Sequence, residues 1–354
     1  MPNHVRRILL LEAIHDVAAA TFSDGGYDEI ISIPRALSDD ELLEKLPGVH
    51  LLGIRSRTRL NERTLAAADR LLAIGCFCIG TSQVDIPVAS RIGIPVFNAP
   101  FSSTRSVAEL VMAEIIMLMR GIFPKSQSLH RGRWQKSASY SFEVRGRTLG
   151  VVGYGNIGAQ LGMIAEGGFG MRVIYYDVAD KLSFGNAQCA RSLAELLASS
   201  DIVSLHVPET PATIGMIGAA QIRAMQKGAF LVNASRGSVV DPEALAAALR
   251  DGHLLGTAID VFPVEPERPD DVFLSPLMGI PNVILTPHIG GSTAEAQERI
   301  GIEVAKRLIA FDKAGQATGA VNALELWSEA PTSAFGYRQS SRGIGGAPKR
   351  VRIP

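Results

Sequence analysis

The chain has 354 residues, 47% hydrophobic and 20% charged, enough for about two globular domains with sizeable cores. Its 35 basic and 35 acidic residues cancel, so no global field draws in nucleic acid or an anionic membrane. Three cysteines, Cys76, Cys78 and Cys189, are too few for a disulfide framework and lack metal-ligand spacing; reduced thiols in a cytoplasmic protein, and no metal site, are expected.

The first apolar run, Ile8-Leu9-Leu10-Leu11, ends at the acid Glu12. It is too short for a signal-peptide core and reads as a buried strand. No stretch approaches the roughly 20 apolar residues that span a bilayer. Further strands are expected at 49–54, 71–74 and 95–98, and helices with polar starter residues at 38–46 and 61–68. Residues 106–120 are apolar nearly all round, which predicts a helix buried between layers. A second alternating unit begins at Thr148, with strands at 149–152, 172–176, 202–206, 230–233, 256–260 and 283–285. Helices fall between them, one at 241–250 with Asp241 as cap and Pro242 in the first turn. A long helix at 292–311 would return the chain to the first unit. This alternation predicts an α/β protein of two Rossmann-like, doubly wound parallel-sheet domains. A cofactor domain at about 105–287 would be inserted in a discontinuous substrate domain, 1–104 and 288–322. Residues 323–354 hold Ser, Gly, Arg and Pro with little apolar periodicity and read as a disordered tail.

Gly153-Tyr154-Gly155-Asn156-Ile157-Gly158 follows a predicted strand and opens a predicted helix. The first glycine permits the tight turn, the second lets the backbone approach a pyrophosphate, and the third allows close helix–strand packing. Asp177 ends the next strand, about twenty residues on, where an acid would bind a ribose 2′-hydroxyl and repel a 2′-phosphate. NAD rather than NADP is therefore the expected cofactor.

Three later segments carry an arginine, a carboxylate and a histidine: Asn233-Ala234-Ser235-Arg236-Gly237, Asp260-Val261-Phe262-Pro263-Val264-Glu265-Pro266 and Thr286-Pro287-His288-Ile289-Gly290-Gly291. Oxidation of a 2-hydroxy acid removes a hydroxyl proton while the C2 hydride leaves. A histidine suits the proton, a nearby carboxylate holds the imidazole and favours its charged form, and an arginine fork suits the substrate carboxylate and carbonyl oxygen. His288, Glu265 and Arg236 fit these catalytic roles.

With Ile54-Arg55-Ser56-Arg57-Thr58, Gly75-Cys76-Phe77-Cys78-Ile79-Gly80-Thr81, Phe97-Asn98-Ala99-Pro100-Phe101, Thr104-Arg105-Ser106-Val107-Ala108-Glu109 and Ser204-Leu205-His206-Val207-Pro208, the chain resembles the D-isomer-specific 2-hydroxyacid dehydrogenases, and within them the branch acting on 3-phosphoglycerate. The resemblance runs from about Arg7 to Asn322. It implies that Arg236, Glu265 and His288 match the family's catalytic triad, that Asp260 contacts the nicotinamide carboxamide, and that His206, Val207 and Pro208 lie by the nicotinamide ribose. Ala234, Ser235, Arg236, His288, Gly290 and Gly291 would complete the cofactor contacts. It also implies NAD-dependent oxidation of 3-phospho-D-glycerate to 3-phosphohydroxypyruvate, at the start of serine synthesis.

A substrate phosphate needs cations, and Arg55 and Arg57 sit at a predicted strand end where α/β ligands gather. In the resembled branch this motif contributes to substrate binding, Lys136 matches a position near the substrate, and backbone N–H groups at Ile79 and Gly80 hold the carboxylate. Trp134, in a basic segment, and the apolar 106–120 helix suggest a homodimer or higher homo-oligomer. Members of the branch commonly continue past Ala320-Val321-Asn322 into a small serine-sensing domain, for which 323–354 is too short. The competing expectations are reduction of glyoxylate, hydroxypyruvate or 2-oxoglutarate, or a non-catalytic NAD-sensing interaction protein on the same fold.

Overall fold

The computed structural model describes residues 6–134, 136–266 and 271–328. Strands β1 (Arg7–Leu11), β2 (Glu29–Ile33), β3 (Leu51–Ile54), β4 (Ala73–Cys76) and β5 (Val96–Phe97) form a parallel five-stranded sheet in the order β2-β1-β3-β4-β5. Helices α1 (Val17–Asp24), α2 (Asp39–Lys45), α3 (Glu62–Ala67) and α4 (Ile86–Arg91) connect them. The interior strands β3 and β4 are buried along their whole length, which is why they read as continuous apolar runs. The edge strand β2 escapes the sequence reading, because it pairs on one side only and none of its five residues is fully buried.

Helix α5 (Thr104–Arg120) leads to α6 (Ile122–His130) and the second sheet. Its strands are β6 (Thr148–Val152), β7 (Arg172–Tyr176), β8 (Gln188–Cys189), β9 (Ile202–Leu205), β10 (Ala229–Asn233), β11 (Leu254–Ile259) and β12 (Val283–Leu285), parallel and ordered β12-β11-β10-β9-β6-β7-β8. Helices α7 (Asn156–Phe169), α8 (Leu193–Ser199), α9 (Ala219–Ala224) and α10 (Pro242–Arg250) fall between them. Each sheet reverses its winding once, between β1 and β3 and between β6 and β9; such a reversal leaves a crevice at the carboxyl ends of the strands.

Helix α5 is not buried all round as expected. Arg105, Glu109, Ala113 and Arg120 form an exposed stripe, while Val107, Val111, Ile115 and Leu118 pack into the core shared with α7. The four-residue spacing of Arg105, Glu109 and Ala113 puts them on one face, which the apolar average of the segment conceals. Helix α11 (Ala294–Ala314) packs back on the first sheet, with Ile300, Val304 and Leu308 in the core around Leu51 and Ala73. The side chains of Ser106 and Thr293, at the starts of α5 and α11, are hydrogen-bonded at 2.8 Å and join the two strand-helix units where the chain crosses between them.

The tail expectation needs one correction. Residues Ala323–Ser328 form a short helix, α12, instead of starting an unstructured segment. The buried Asn322 side chain anchors it by accepting from Val96 N at 3.0 Å and donating to Ile94 O at 3.0 Å. The remainder, 329–354, lies outside the described residues. Among the described residues no helix is long and apolar enough to cross a membrane.

Candidate active site

The glycine turn joins β6 to α7. Gly153 has φ +90°, and a Cβ there would meet His206 O at 2.5 Å, so both conformation and close approach require glycine. A Cβ at Gly158 would lie 2.3 Å from Gly153 O, the close packing expected of the third glycine. Gly155 differs: a Cβ there would meet nothing within 4 Å. It caps the N-terminus of a 14-residue helix, and Asn156 beside it is exposed, so the backbone opens on a space that suits an anion. Asp177 stands at the end of β7. Its carboxylate accepts from Tyr154 N at 2.9 Å and Ala179 N at 3.0 Å, fixing the turn as well as supplying the negative charge. His206 closes the opposite side. Its Nε2 lies 2.8 Å from Ser204 Oγ, its Nδ1 is buried without a partner, and burial pushes its pKa down to about 4, so the ring is neutral. Val207 and the exposed Pro208 continue that rim. These features fit the pyrophosphate and ribose of a dinucleotide.

The second cluster grows from the ends of β10, β11 and β12. Asn233 ends β10, and its amide donates to Arg236 O at 2.9 Å while its Oδ1 accepts from Ser235 N at 3.0 Å. This closes the Ala234-Ser235-Arg236 loop. Asp260, 1% exposed beyond β11, accepts from Thr286 Oγ1 at 2.7 Å, Ile289 N at 2.8 Å and Gly290 N at 2.8 Å. It thereby holds the Thr286–Gly291 loop from within. Its hydrogen bonds run to this loop. Gly291 packs beside Ser103 at the start of α5.

His288 has φ +54°, a left-handed conformation that a histidine adopts only when its surroundings impose it. The bend turns its ring to Glu265, whose carboxylate receives Nδ1 at 2.9 Å and 3.0 Å. Nε2 is then the nitrogen left for a substrate proton. The hydrogen bond to Glu265 raises the His288 pKa above its usual value; burial opposes this, and the charges of Glu265 and Asp260 reinforce it. For Glu265 burial acts upward, but the hydrogen bond and charge of His288, the Phe262 N–H and Arg236 together hold it below the usual carboxylate range. If His288 acts as the expected base, it works as the neutral ring, and the rising limb of kcat/KM against pH should lie above the usual histidine value. In Glu265→Gln the hydrogen bond and negative charge weaken, the histidine pKa falls, and the limb of kcat/KM against pH should move to lower pH. An unmoved limb would exclude this pairing from turnover.

Arg236 reaches toward the first sheet. Its Nη1 donates to Ser235 O at 2.6 Å, and its Nη2 would lie 3.0 Å from a Cβ at position 80. Glycine at 80 therefore leaves room for the guanidinium beside the Ile79-Gly80 backbone. Asn98 Nδ2 donates to Ile79 O at 2.6 Å, and Gln83 Nε2 donates to Gly80 O at 3.2 Å and Arg55 O at 2.6 Å. The Arg55–Thr58 and Cys78–Gly80 loops are thus stitched together across from Arg236. Cys78 belongs to this wall, and burial pushes its thiol up to about 11, so it is no nucleophile at neutral pH. Lys136 lies on the exposed segment between α6 and β6. Among the described residues, no group of three or more His, Cys, Asp or Glu side chains is placed to hold a metal ion.

The sequence reading gave no role to Glu12, Gln83, Thr286 or Glu114. Glu114, on α5, is 2% exposed, with Oε1 3.5 Å from Thr286 Oγ1 and Oε2 unpartnered. Burial, then the charge of Asp260, pushes its carboxyl up to about 8 from 4.5. The native state keeps a proton that the unfolded chain releases, so this residue erodes stability as pH rises from 4.5 to about 8. Glu114→Gln should raise Tm by several degrees at about pH 8.5 and by less near pH 5. Equal Tm changes at both values, measured by calorimetry, would contradict a buried neutral acid.

The family model for "D-isomer specific 2-hydroxyacid dehydrogenase, NAD binding domain" matches residues 112–290. A D-3-phosphoglycerate dehydrogenase of Haemophilus influenzae is 53% identical over 320 residues, 90% of this chain and 78% of that protein. The chain belongs to the D-isomer-specific 2-hydroxyacid dehydrogenases. The matched span of this dehydrogenase contains the glycine turn, and its cofactor is NAD. A Thermus thermophilus crystal structure is similar with TM-score 0.81 and 32% identity, covering 89% of this chain and 99% of its own. The D-lactate dehydrogenase of Aquifex aeolicus, crystallised with NAD and lactic acid, is similar with TM-score 0.76 and 29% identity, over 87% of this chain and 96% of that one.

Proposed function

We propose that this dehydrogenase oxidises 3-phospho-D-glycerate to 3-phosphohydroxypyruvate with NAD. The carrying observation is the 53% identity to a D-3-phosphoglycerate dehydrogenase across 90% of the chain. The Arg55–Arg57 loop beside Arg236 and Gly80 supports it, since it adds cations where an unphosphorylated acid would need none. Arg236 holds the substrate carboxylate and the C2 oxygen, with the Ile79-Gly80 backbone opposite. His288 Nε2 removes the C2 hydroxyl proton, and Glu265 stabilises the imidazolium that forms. NAD, when bound, supplies the hydride acceptor. The Gly153–Gly158 turn would hold its pyrophosphate, Asp177 its adenosine ribose, and the His206–Pro208 rim its nicotinamide ribose. Residues 1–104 with 288–322, and 105–287, act as two lobes that close on the ligands. The exposed Trp134 and Leu129, with Ile122 and Phe123 on α6, suit a homodimer contact. Initial rates of NADH formation over a panel of 2-hydroxy acids test the assignment. The highest kcat/KM is expected on 3-phospho-D-glycerate; a higher value on D-lactate, D-glycerate or D-2-hydroxyglutarate would overturn it.

A further inference from the structure

Glu12 is a buried carboxylate with no part in the chemistry above. It is 7% exposed and stands just beyond β1, at the carboxyl end of the sheet. Glu12 and Ala13 have φ +63° and +49°, two consecutive left-handed residues that are not glycine. That conformation is disfavoured for residues with a Cβ and persists only where neighbours enforce it. Here Glu12 N donates to Arg35 O at 3.2 Å, and the bend turns the side chain under the loop that follows β3. Its Oε1 accepts from Arg55 N at 3.1 Å and Thr58 N at 2.8 Å, and its Oε2 from Arg57 N at 2.9 Å. Arg55 Nη1 lies 3.4 Å from Glu12 O.

We propose that Glu12 is a positioning residue that fixes the Arg55–Thr58 loop for recognition of the substrate phosphate, and so sets the preference for a phosphorylated over an unphosphorylated 2-hydroxy acid. The proposal rests on the reading that this loop takes the phosphate. Three backbone donors within four residues converge on one carboxylate, which fixes the backbone from which both arginines project. Gln83 holds the same loop from the other side through Arg55 O. A carboxylate is required because both of its oxygens accept. An amide has one accepting oxygen, and its NH₂ would face an N–H at Arg57 or at the Arg55–Thr58 pair, setting donor against donor. The negative charge also offsets the two cations above it, which the loop would otherwise hold side by side. Arg236, Glu265 and His288 come from the other sheet, so loosening this loop should act on phosphate binding more than on the proton and hydride steps.

The test compares 3-phospho-D-glycerate with D-glycerate in the intact chain, using Glu12→Gln and Arg57→Ala. Glu12→Gln is expected to lower the ratio of kcat/KM for the phosphorylated over the unphosphorylated acid about tenfold, mainly through KM. Equal losses on the two substrates, or an unchanged ratio, would overturn the proposal and leave Glu12 a purely structural carboxylate. Arg57→Ala separates the two readings. If it shifts the ratio and Glu12→Gln does not, only the Glu12 proposal fails. If Arg57→Ala leaves the ratio intact, the phosphate reading fails and takes the Glu12 proposal with it. Should Glu12→Gln not fold, Glu12→Asp keeps the charge, shortens the reach by one methylene, and is judged by the same ratio.

Discussion

Replacing His288 by alanine should lower kcat by about 10²–10⁴, the usual span for losing a positioned acid–base group, with little change in NADH affinity. The expectation rests on geometry: Nδ1 is committed to Glu265 at 2.9 Å, which leaves Nε2 for the substrate proton. Alanine also removes the ring from a residue at φ +54°, where its Cβ is strained. His288→Asn is therefore the better partner variant, because asparagine tolerates the left-handed conformation and keeps a polar side chain without a titrating base. Both variants should lose activity to a similar degree, with near-parental Tm for asparagine. If His288→Asn kept near-parental kcat while His288→Ala did not, the loss would be conformational and the imidazole would not be the base.

Much of this was legible because parallel strands buried on both faces leave continuous apolar runs. Leu149, Val151 and Val152 in β6, and Phe230, Leu231 and Val232 in β10, announce themselves this way. The proposed catalytic set could be picked out for another reason: Arg236, Glu265 and His288 all follow strands, at the sheet end where ligands collect, and each motif is local. What escaped depends on contacts between distant parts of the chain. Glu12 serves residues 43 to 46 positions away, so a sequence shows only an acid ending an apolar run. Glu114 was passed over inside a segment read for its apolar residues; the exposed stripe runs through Arg105, Glu109 and Ala113 and leaves Glu114 buried near Asp260. The hydrogen bonds by which Asp260 holds Ile289 and Gly290 in place also span about thirty residues and leave no local signal.

Arg236→Lys should cost about 10²–10³ in kcat/KM on 3-phospho-D-glycerate, a larger effect than the retained charge suggests. Lysine keeps one positive charge but offers a compact ammonium on a flexible stem, which cannot donate two parallel hydrogen bonds to a carboxylate. The arginine is also anchored: Nη1 is tied to Ser235 O at 2.6 Å, the Asn233 amide holds Arg236 O at 2.9 Å, and Gly80 leaves space for Nη2. A lysine would lose both that anchor and the reach across to the Ile79-Gly80 wall. Because the fork meets the substrate before and during hydride transfer, KM should rise and kcat fall together. Removing the guanidinium's positive charge from beside His288 is a smaller matter here, since lysine restores a cation; the pH limb set by the histidine should therefore move little. NAD affinity, read by fluorescence titration without substrate, should change less than kcat/KM does, because lysine keeps a cation at a position expected to touch the cofactor. A variant within about threefold of the parent in kcat/KM would show that a single positive charge suffices at this position, and the two-pronged role given to Arg236 would have to be abandoned.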